Sequence, residues 1–142
     1  MSEGSTGGAP RPRPGITRDT AFFWEGVAES RLRIQRCVDC GALRHPPGPA
    51  CPKCASLAWD HVEASGRGRI HSFVVVHHPK VPAFDYPHPV ALVELEEGTR
   101  FVADLVGVNA NAVEIGMPVE VEFHTPAEGQ TLPRFRPVTD AG

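Results

Sequence analysis

The 142-residue sequence contains no apolar run approaching the roughly 18 to 20 residues that a membrane-spanning helix needs. It also lacks the charged and then apolar segment of a secretion signal at its start. No P-loop and no dinucleotide-binding fingerprint is present, because the Gly-x-Gly stretch at residues 66–68 is short and precedes a predicted strand rather than a helix. These absences predict a soluble, cytoplasmic protein with no membrane contact.

Positive charge is scarce in the larger part of the chain. Residues 57–142 hold 6 Lys and Arg against 12 Asp and Glu, whereas residues 1–56 hold 8 against 5. A protein that binds nucleic acid needs a basic groove to neutralise the phosphates. The charge distribution therefore argues against nucleic acid as the partner.

Leucine is also scarce relative to valine, with 7 Leu against 16 Val, while Gly and Pro together number 29. This composition favours short strands joined by turns over a helical bundle. The length suits one or two compact units. We therefore predict a mostly β fold.

Four cysteines form the strongest motif in the sequence. Cys37 and Cys40 are separated by ten residues from Cys51 and Cys54, and each pair has the spacing C-x2-C. Two such knuckles place four thiolates around one Zn²⁺, whereas the flanks lack the βαβ context of redox pairs. Since four thiolates leave no position for water or substrate, we expect a structural zinc ion. His45 is expected to lie on the surface of the connecting loop and not to bind the metal.

The start of the chain divides into a polar segment and a short helix. Residues 1–15 are rich in Gly, Ser, Pro and Arg, which is typical of a flexible tail or linker. Beyond them, Thr17 or Asp19 is the expected N-cap of a helix that ends near Ser30.

Seven strands are predicted after this helix. One leads from Leu32 into Cys37, and the next covers Trp59–Glu63. The other five are expected over residues 69–77, 90–95, 100–106, 119–123 and 135–138. A helical turn within residues 109–116 separates the third of these five from the fourth, which is the layout of an OB-fold. We predict a helix and zinc ribbon over residues 16–64 and a five-stranded OB-fold barrel over residues 65–142.

Two groups of aromatic residues are candidates for binding a partner. Phe22, Phe23 and Trp24 are more than one face of a short helix can bury, so this surface either faces a partner or caps the chain's own barrel. Phe84 and Tyr86 lie in a Pro-stiffened loop, which is either a recognition element or a connector that packs on the barrel.

Acid–base catalysis is not indicated by the polar residues around this loop. His77, Asp85 and His88 are close in sequence, but no nucleophile in a motif context accompanies them. The glutamates of the predicted strands mostly alternate with Val or Leu, which is typical of an outward strand face. We therefore assign no catalytic residue.

Several segments together resemble a known family. They are FFWEG at 22–26, RCVDCGALRHPPGPACPKC at 36–54, SGRGRIHSF at 65–73, YPHPVALVELEEG at 86–98, IGMPVEVEF at 115–123 and LPRFRP at 132–137. The sequence is similar in these segments to the zinc-ribbon plus OB-fold proteins that were first classed as a domain of unknown function and later tied to acyl-CoA metabolism. The resemblance implies an N-terminal helical segment, a rubredoxin-like zinc ribbon and a C-terminal OB-fold barrel.

The same resemblance implies a function. Members of the family act beside thiolase-like enzymes, and the branch that this chain resembles supports a lipid-transfer-type thiolase that cleaves steroid side-chain CoA thioesters by retro-aldol chemistry. We therefore expect a non-catalytic accessory subunit in a hetero-oligomer with such an aldolase. The alternatives are a CoA-thioester channelling protein in a thiolase or synthase complex and an autonomous OB-fold module for nucleic acid. Any contact with CoA phosphates is expected from four basic residues, Arg44, Lys53, Arg67 and Arg69.

Overall fold

The computed structural model describes residues 13–80, 82, 84–126 and 129–138. These residues form one α-helix, eight strands and one 3-10 turn. In chain order they are α1 (Ala21–Ala28), β1 (Arg33–Cys37), β2 (Leu43–Arg44), β3 (Trp59–Glu63), β4 (Arg67–Val76), β5 (His88–Leu95), β6 (Arg100–Asp104), the 3-10 turn Ala110–Ala112, β7 (Pro118–His124) and β8 (Leu132–Pro137). The predicted mostly β fold is confirmed, while the tail or linker predicted for residues 1–15 lies outside the described residues except for 13–15. No helix within the described ranges is long and apolar enough to cross a membrane.

The helix and the first sheet form the N-terminal part. Thr20 is the N-cap residue of α1 instead of the predicted Thr17 or Asp19, and its side chain makes no capping hydrogen bond. The Thr20 hydroxyl instead accepts a hydrogen bond from the backbone N–H of Thr17 at 2.9 Å. Strand β1 lies between β2 and β3 in an antiparallel sheet, and the β1–β3 register runs from Arg33 opposite Glu63 to Cys37 opposite Trp59. This sheet therefore presents Cys37 at its end.

The other five strands form the OB-fold barrel. Their order is β6-β5-β4-β7-β8, all neighbours antiparallel. A parallel bridge between Leu105 and Phe135 joins the far ends of this order. Strand β4 pairs with β5 as far as Val76, but the paired residues of β4 and β7 are only 67–69. The predicted five-stranded architecture and the helical turn before the fourth barrel strand are confirmed.

One hydrophobic core joins the two sheets. Val27 of α1 and Ile34 of β1 belong to the same cluster of buried residues as Val93 of β5 and Phe135 of β8. The buried core is continuous between the ribbon and the barrel. The domain boundary predicted between residues 64 and 65 therefore stays a prediction.

Phe22 and Phe23 are part of this core. Their exposed fractions are 9% and 4%, because Phe22 packs on Trp59 at 5.0 Å between ring centroids and Phe23 lies 5.9 Å from Phe101 of the barrel. Of the two alternatives that the sequence left open for these rings, their burial favours the second: they pack against the chain's own barrel and ribbon. Trp24 is half-buried and meets Phe23 edge to face at 4.9 Å.

Gln35 is a buried polar residue that fixes the ribbon loop. Its side-chain nitrogen donates a hydrogen bond to the carbonyl oxygen of Gly48 at 3.0 Å, and its side-chain oxygen accepts one from the N–H of Gly48 at 2.9 Å. Both polar ends of the amide are thus satisfied inside the protein, as burial requires. The bonds hold the loop that follows β2 against β1.

Candidate metal centre and interaction surfaces

The two cysteine knuckles have matching backbone turns. The N–H of Gly41 donates to the carbonyl oxygen of Cys37 at 2.9 Å, and the N–H of Ala55 donates to that of Cys51 at 2.8 Å. Gly41 and Ala55 both have positive φ angles, of 78° and 65°. A glycine adopts this conformation without strain, whereas an alanine adopts it at some cost. The turns curl each C-x2-C segment so that its two sulfurs face the other pair.

The four sulfur atoms have the spacing of a zinc site. Cys37 Sγ lies 3.5 Å from Cys54 Sγ, Cys40 Sγ lies 3.6 Å from Cys51 Sγ, and all four atoms fall within 4.8 Å of one another. Tetrahedral coordination at about 2.3 Å per Zn–S bond puts the sulfurs roughly 3.8 Å apart, and a disulfide needs about 2.05 Å. The predicted ligand set of one structural zinc ion fits this geometry, and its four thiolates leave no open coordination position.

The turns also favour the metal-binding thiolate form of two of the four cysteines, Cys37 and Cys51. The backbone N–H of Cys40 lowers the pKa of Cys37. The backbone N–H groups of Cys54 and Lys53 lower the pKa of Cys51 to about 6. Hydrogen bonds to a charged form stabilise it, so these N–H groups prepare two of the ligands for the metal.

His45 lies apart from this centre. Among the described residues, the metal-binding cluster consists of the four cysteines. The imidazole of His45 stacks on Phe101 of β6 with centroids 4.3 Å apart, and its Nδ1 atom is buried without a hydrogen-bond partner. Burial lowers the pKa of His45 to about 4. The expected surface position of His45 is thus corrected, because the ribbon loop packs its ring against the barrel.

The four residues expected to contact CoA do not converge on one site. Arg44 is half-buried on β2 and donates from Nη2 to the carbonyl oxygen of Gly48 at 3.0 Å. Lys53 is exposed in the second knuckle. Arg67 and Arg69 are exposed on β4 and line a groove of about 290 Å³. Two acidic side chains, Glu96 and Glu120, line the same groove.

The aromatic residues of the loop between β4 and β5 surround a histidine. Phe84 stacks on His88 at 5.0 Å, and Tyr86 meets it edge to face at 6.2 Å between centroids. His88 Nε2 lies 2.9 Å from Asp104 Oδ1 on β6. Sequence analysis grouped His88 with His77 and Asp85 and did not predict the His88–Asp104 pair. Asp104 is 16 residues away in sequence, and only the pairing of β5 with β6 places it beside His88.

Sequence reasoning also missed an apolar surface on the barrel. Ala91, Val93 and Phe101 are buried inside it, so their neighbours along β5 and β6 point outward. Paired outward residues on three adjacent strands are aliphatic: Val74 lies opposite Val90, and Leu92 lies opposite Val102. We call this surface the aliphatic face and define it as Val74, Val76, Val90, Leu92 and Val102.

Two family models of known proteins match the two parts of this chain. Residues 24–60 match the family model "ChsH2, rubredoxin-like zinc ribbon domain", and residues 61–124 match "ChsH2, C-terminal OB-fold domain". A "DUF35 domain-containing scaffold protein" of Methanothermobacter thermautotrophicus is 34% identical over 108 residues, which cover 74% of this chain and 81% of that protein. The chain belongs to the ChsH2/DUF35 family.

Two further relatives of this DUF35 protein carry functional names. The "3-oxo-4,17-pregnadiene-20-carboxyl-CoA hydratase alpha subunit" of Mycobacterium tuberculosis is 52% identical over 111 residues, or 78% of this chain. This chain spans 35% of the length of that subunit and 40% of the length of the "Probable enoyl-CoA hydratase alpha subunit" of Thermomonospora curvata, to which it is 55% identical. A solved structure titled "Ltp2-ChsH2(DUF35) aldolase" contains a chain that is 54% identical, with a TM-score of 0.83 and coverage of 88% of this chain and 98% of that one.

Proposed function

We propose that this DUF35 chain is the non-catalytic accessory part of a complex with a thiolase-like aldolase, and that it supports retro-aldol cleavage of a steroid side-chain CoA thioester. The observation that carries the proposal is its 54% identity across almost the whole ChsH2(DUF35) chain of a solved aldolase. The steroid-CoA name of the mycobacterial relative supports the substrate class.

The chemistry of the chain agrees with a supporting role. A retro-aldol reaction needs a base that takes the proton of the β-hydroxyl group and an acid that protonates the thioester enolate left when the carbon–carbon bond breaks. The zinc site has four thiolate ligands, so the ion cannot polarise a substrate oxygen. The aldolase partner supplies the acid and base groups of the reaction, and this chain supplies a surface that the aldolase binds.

The half-buried aromatic residues Trp24, Phe84 and Tyr86 are proposed to contact the aldolase. Each keeps part of its ring at the surface, and aromatic side chains contribute much contact area for little loss of conformational entropy. Phe23 supports Trp24 from within the core, since it is buried and meets the Trp24 ring at 4.9 Å.

Arg67 and Arg69 are proposed to contact the CoA phosphates. Both residues line the groove beside β4, where Arg69 Nη1 also donates to the carbonyl oxygen of Gly116 at 3.0 Å. Phosphate binding requires positive charge. Glu96 and Glu120 in the same groove oppose that binding, so the proposal predicts a modest effect: Arg67→Gln with Arg69→Gln raises the KM for the CoA thioester severalfold. An unchanged KM would exclude the groove as a phosphate site.

Reconstitution from purified components tests the main proposal. The aldolase from the same organism, mixed with this chain and a β-hydroxy steroid side-chain CoA thioester, is expected to release the steroid ketone, and this chain alone is expected to release none. The Trp24→Ala and Tyr86→Ala variants are expected to bind the aldolase more weakly. A partner that is fully active without this chain would overturn the proposed function, and unchanged binding by both variants would overturn the proposed aromatic contacts.

A further inference from the structure

We propose that the aliphatic face of the barrel is a docking surface for the aldolase partner. This inference rests on the proposed function and extends the contact from the loop aromatics to the outer face of β4, β5 and β6. It assigns a role to side chains that the zinc site, the core and the loop do not use.

The aliphatic side chains of this face are adjacent, and each keeps part of its surface in water. Val74 and Val102 are 59% and 63% exposed, and Val76, Val90 and Leu92 are half-buried. The barrel already has its core on the opposite side of the same strands, where Ala91 and Val93 are fully buried. Contiguous apolar surface of this kind marks an interaction site more often than isolated apolar residues do.

Polar side chains border the aliphatic face at both ends. At one end His88 lies 2.9 Å from Asp104. At the other end Glu94 lies 3.8 Å from His71 and directly opposite Arg100 on β6. These polar groups have partners within the chain, so the face offers an apolar centre with a polar border. That is the anatomy of a protein–protein interface.

The location of the aliphatic face within the OB-fold also supports a binding role. OB-folds commonly bind ligands on their second and third strands, beside the loop between the first two. In this barrel those strands are β5 and β6, and the loop is the one that carries Phe84 and Tyr86. Nucleic-acid ligands are held there by basic and aromatic side chains, whereas here the positions are aliphatic. His88 contacts both loop aromatics and borders the face, so the two surfaces are continuous.

The area of the aliphatic face is too small to hold two copies of this chain together by this face alone. Each aliphatic side chain offers less area than the roughly 150 Å² of a buried aromatic residue, so five partly exposed ones offer less than about 400 Å² in total. A stable dimer needs about 800 Å² from each copy. The face therefore fits as one part of an interface that also includes the loop aromatics.

Charged substitutions on the two most exposed strand positions test this inference. Val74→Glu and Val102→Glu are each expected to weaken binding to the aldolase at least tenfold, as measured by calorimetric titration of the purified proteins. Ile115→Glu is the matched control, because Ile115 is 70% exposed on the barrel and lies outside the face. Zinc content and melting temperature verify that each variant is folded. The Val102→Thr variant keeps a residue of high strand propensity, and we expect it to weaken binding less than Val102→Glu.

The outcomes separate this inference from the proposed function. If the unmodified chain binds and supports the aldolase while both glutamate variants bind equally well, the aliphatic face is not the interface and the proposed function stands. If the unmodified chain does not bind the aldolase, both proposals fail. If sedimentation shows a dimer of this chain that Val102→Glu dissociates, the occupant is a second copy and the inference is wrong.

Discussion

His45 is the residue that most directly couples the ribbon to the barrel. Its ring lies 4.3 Å from that of Phe101 and 5.3 Å from that of Phe23, so residues from α1, the ribbon loop and β6 meet around one imidazole. A neutral ring fits this apolar site, and a charged ring does not. This contact therefore depends on pH.

Acidification is expected to destabilise the protein through His45. Its pKa is lowered to about 4 in the folded chain, while the unfolded chain has the ordinary value near 6.5. Between these values the unfolded state binds a proton that the folded state does not, so stability falls as the pH drops from about 6.5 toward 4. At pH 5 the loss attributable to this group is about 2 kcal/mol.

The His45→Phe variant isolates this contribution. Phenylalanine keeps the stack on Phe101 and removes the buried, unpartnered Nδ1 atom. Urea unfolding at pH 7 and pH 5 should show a smaller loss of free energy of unfolding for the variant than for the unmodified chain. An equal loss in both proteins would show that His45 does not carry the effect, since protonation of the zinc ligands contributes equally to both.

The environments of individual side chains were the least predictable feature of the sequence. The C-x2-C spacing predicted the zinc ligands because all four residues are local in sequence. The environment of His45 and the bonds from Gln35 to Gly48 depend on tertiary packing. No local pattern distinguishes a histidine that lies on a loop surface from one that stacks on a strand of another sheet.

Among the elements, the zinc knuckles stabilise the part of the ribbon that lies away from the core it shares with the barrel. The sheet of this part has only three strands, and β2 is two residues long. The Cys40→Ser variant is therefore expected to lose its zinc and unfold the ribbon while the barrel stays partly folded. Elemental analysis should give one zinc per unmodified chain and less in the variant, with circular dichroism reporting the residual strands. Purified protein without metal and with disulfide-bonded cysteines would contradict the prediction.

Strands β4 and β5 approach each other closely at a glycine. A Cβ atom at Gly68 would clash with the carbonyl oxygen of Glu94 and would lie 2.7 Å from Val93 Cγ1. Gly68→Ala is therefore expected to lower the free energy of unfolding by about 1 to 3 kcal/mol, because the strands must separate. Gly48→Ala is the control, since no atom lies within 4 Å of its Cβ position. Equal urea midpoints for the two variants would refute the close approach.

Strand positions were more predictable than strand faces. The bounds predicted for β3 match the structure, and each predicted barrel strand overlaps an observed one. The two-residue β2 carries too little pattern to detect. In the runs at residues 73–76 and 90–93, successive side chains are apolar, so a period of two cannot indicate which side is buried. For this reason the aliphatic face emerged only from the register of β4, β5 and β6.

For the molecule as a whole, the net charge and the aliphatic surface of the barrel both argue against nucleic acid as a ligand. Residues 57–142 hold twice as many acidic as Lys and Arg residues, and the strands that OB-folds use for oligonucleotides present aliphatic side chains here. Single-stranded DNA is therefore expected to bind more weakly than about 10⁻⁴ to 10⁻⁶ M at roughly 150 mM salt. Fluorescence anisotropy with a labelled oligonucleotide measures this, and micromolar or tighter affinity would overturn the expectation.

The shared core has a consequence for the synthesis of the chain on the ribosome. Phe23 and His45 emerge well before Phe101, the barrel ring that covers both of them. A ribbon that has already taken up zinc therefore presents an apolar flank until β6 has been translated. Since transiently exposed apolar surface promotes aggregation, the interval between translation of the second knuckle and translation of β6 is when the nascent protein most needs protection by chaperones.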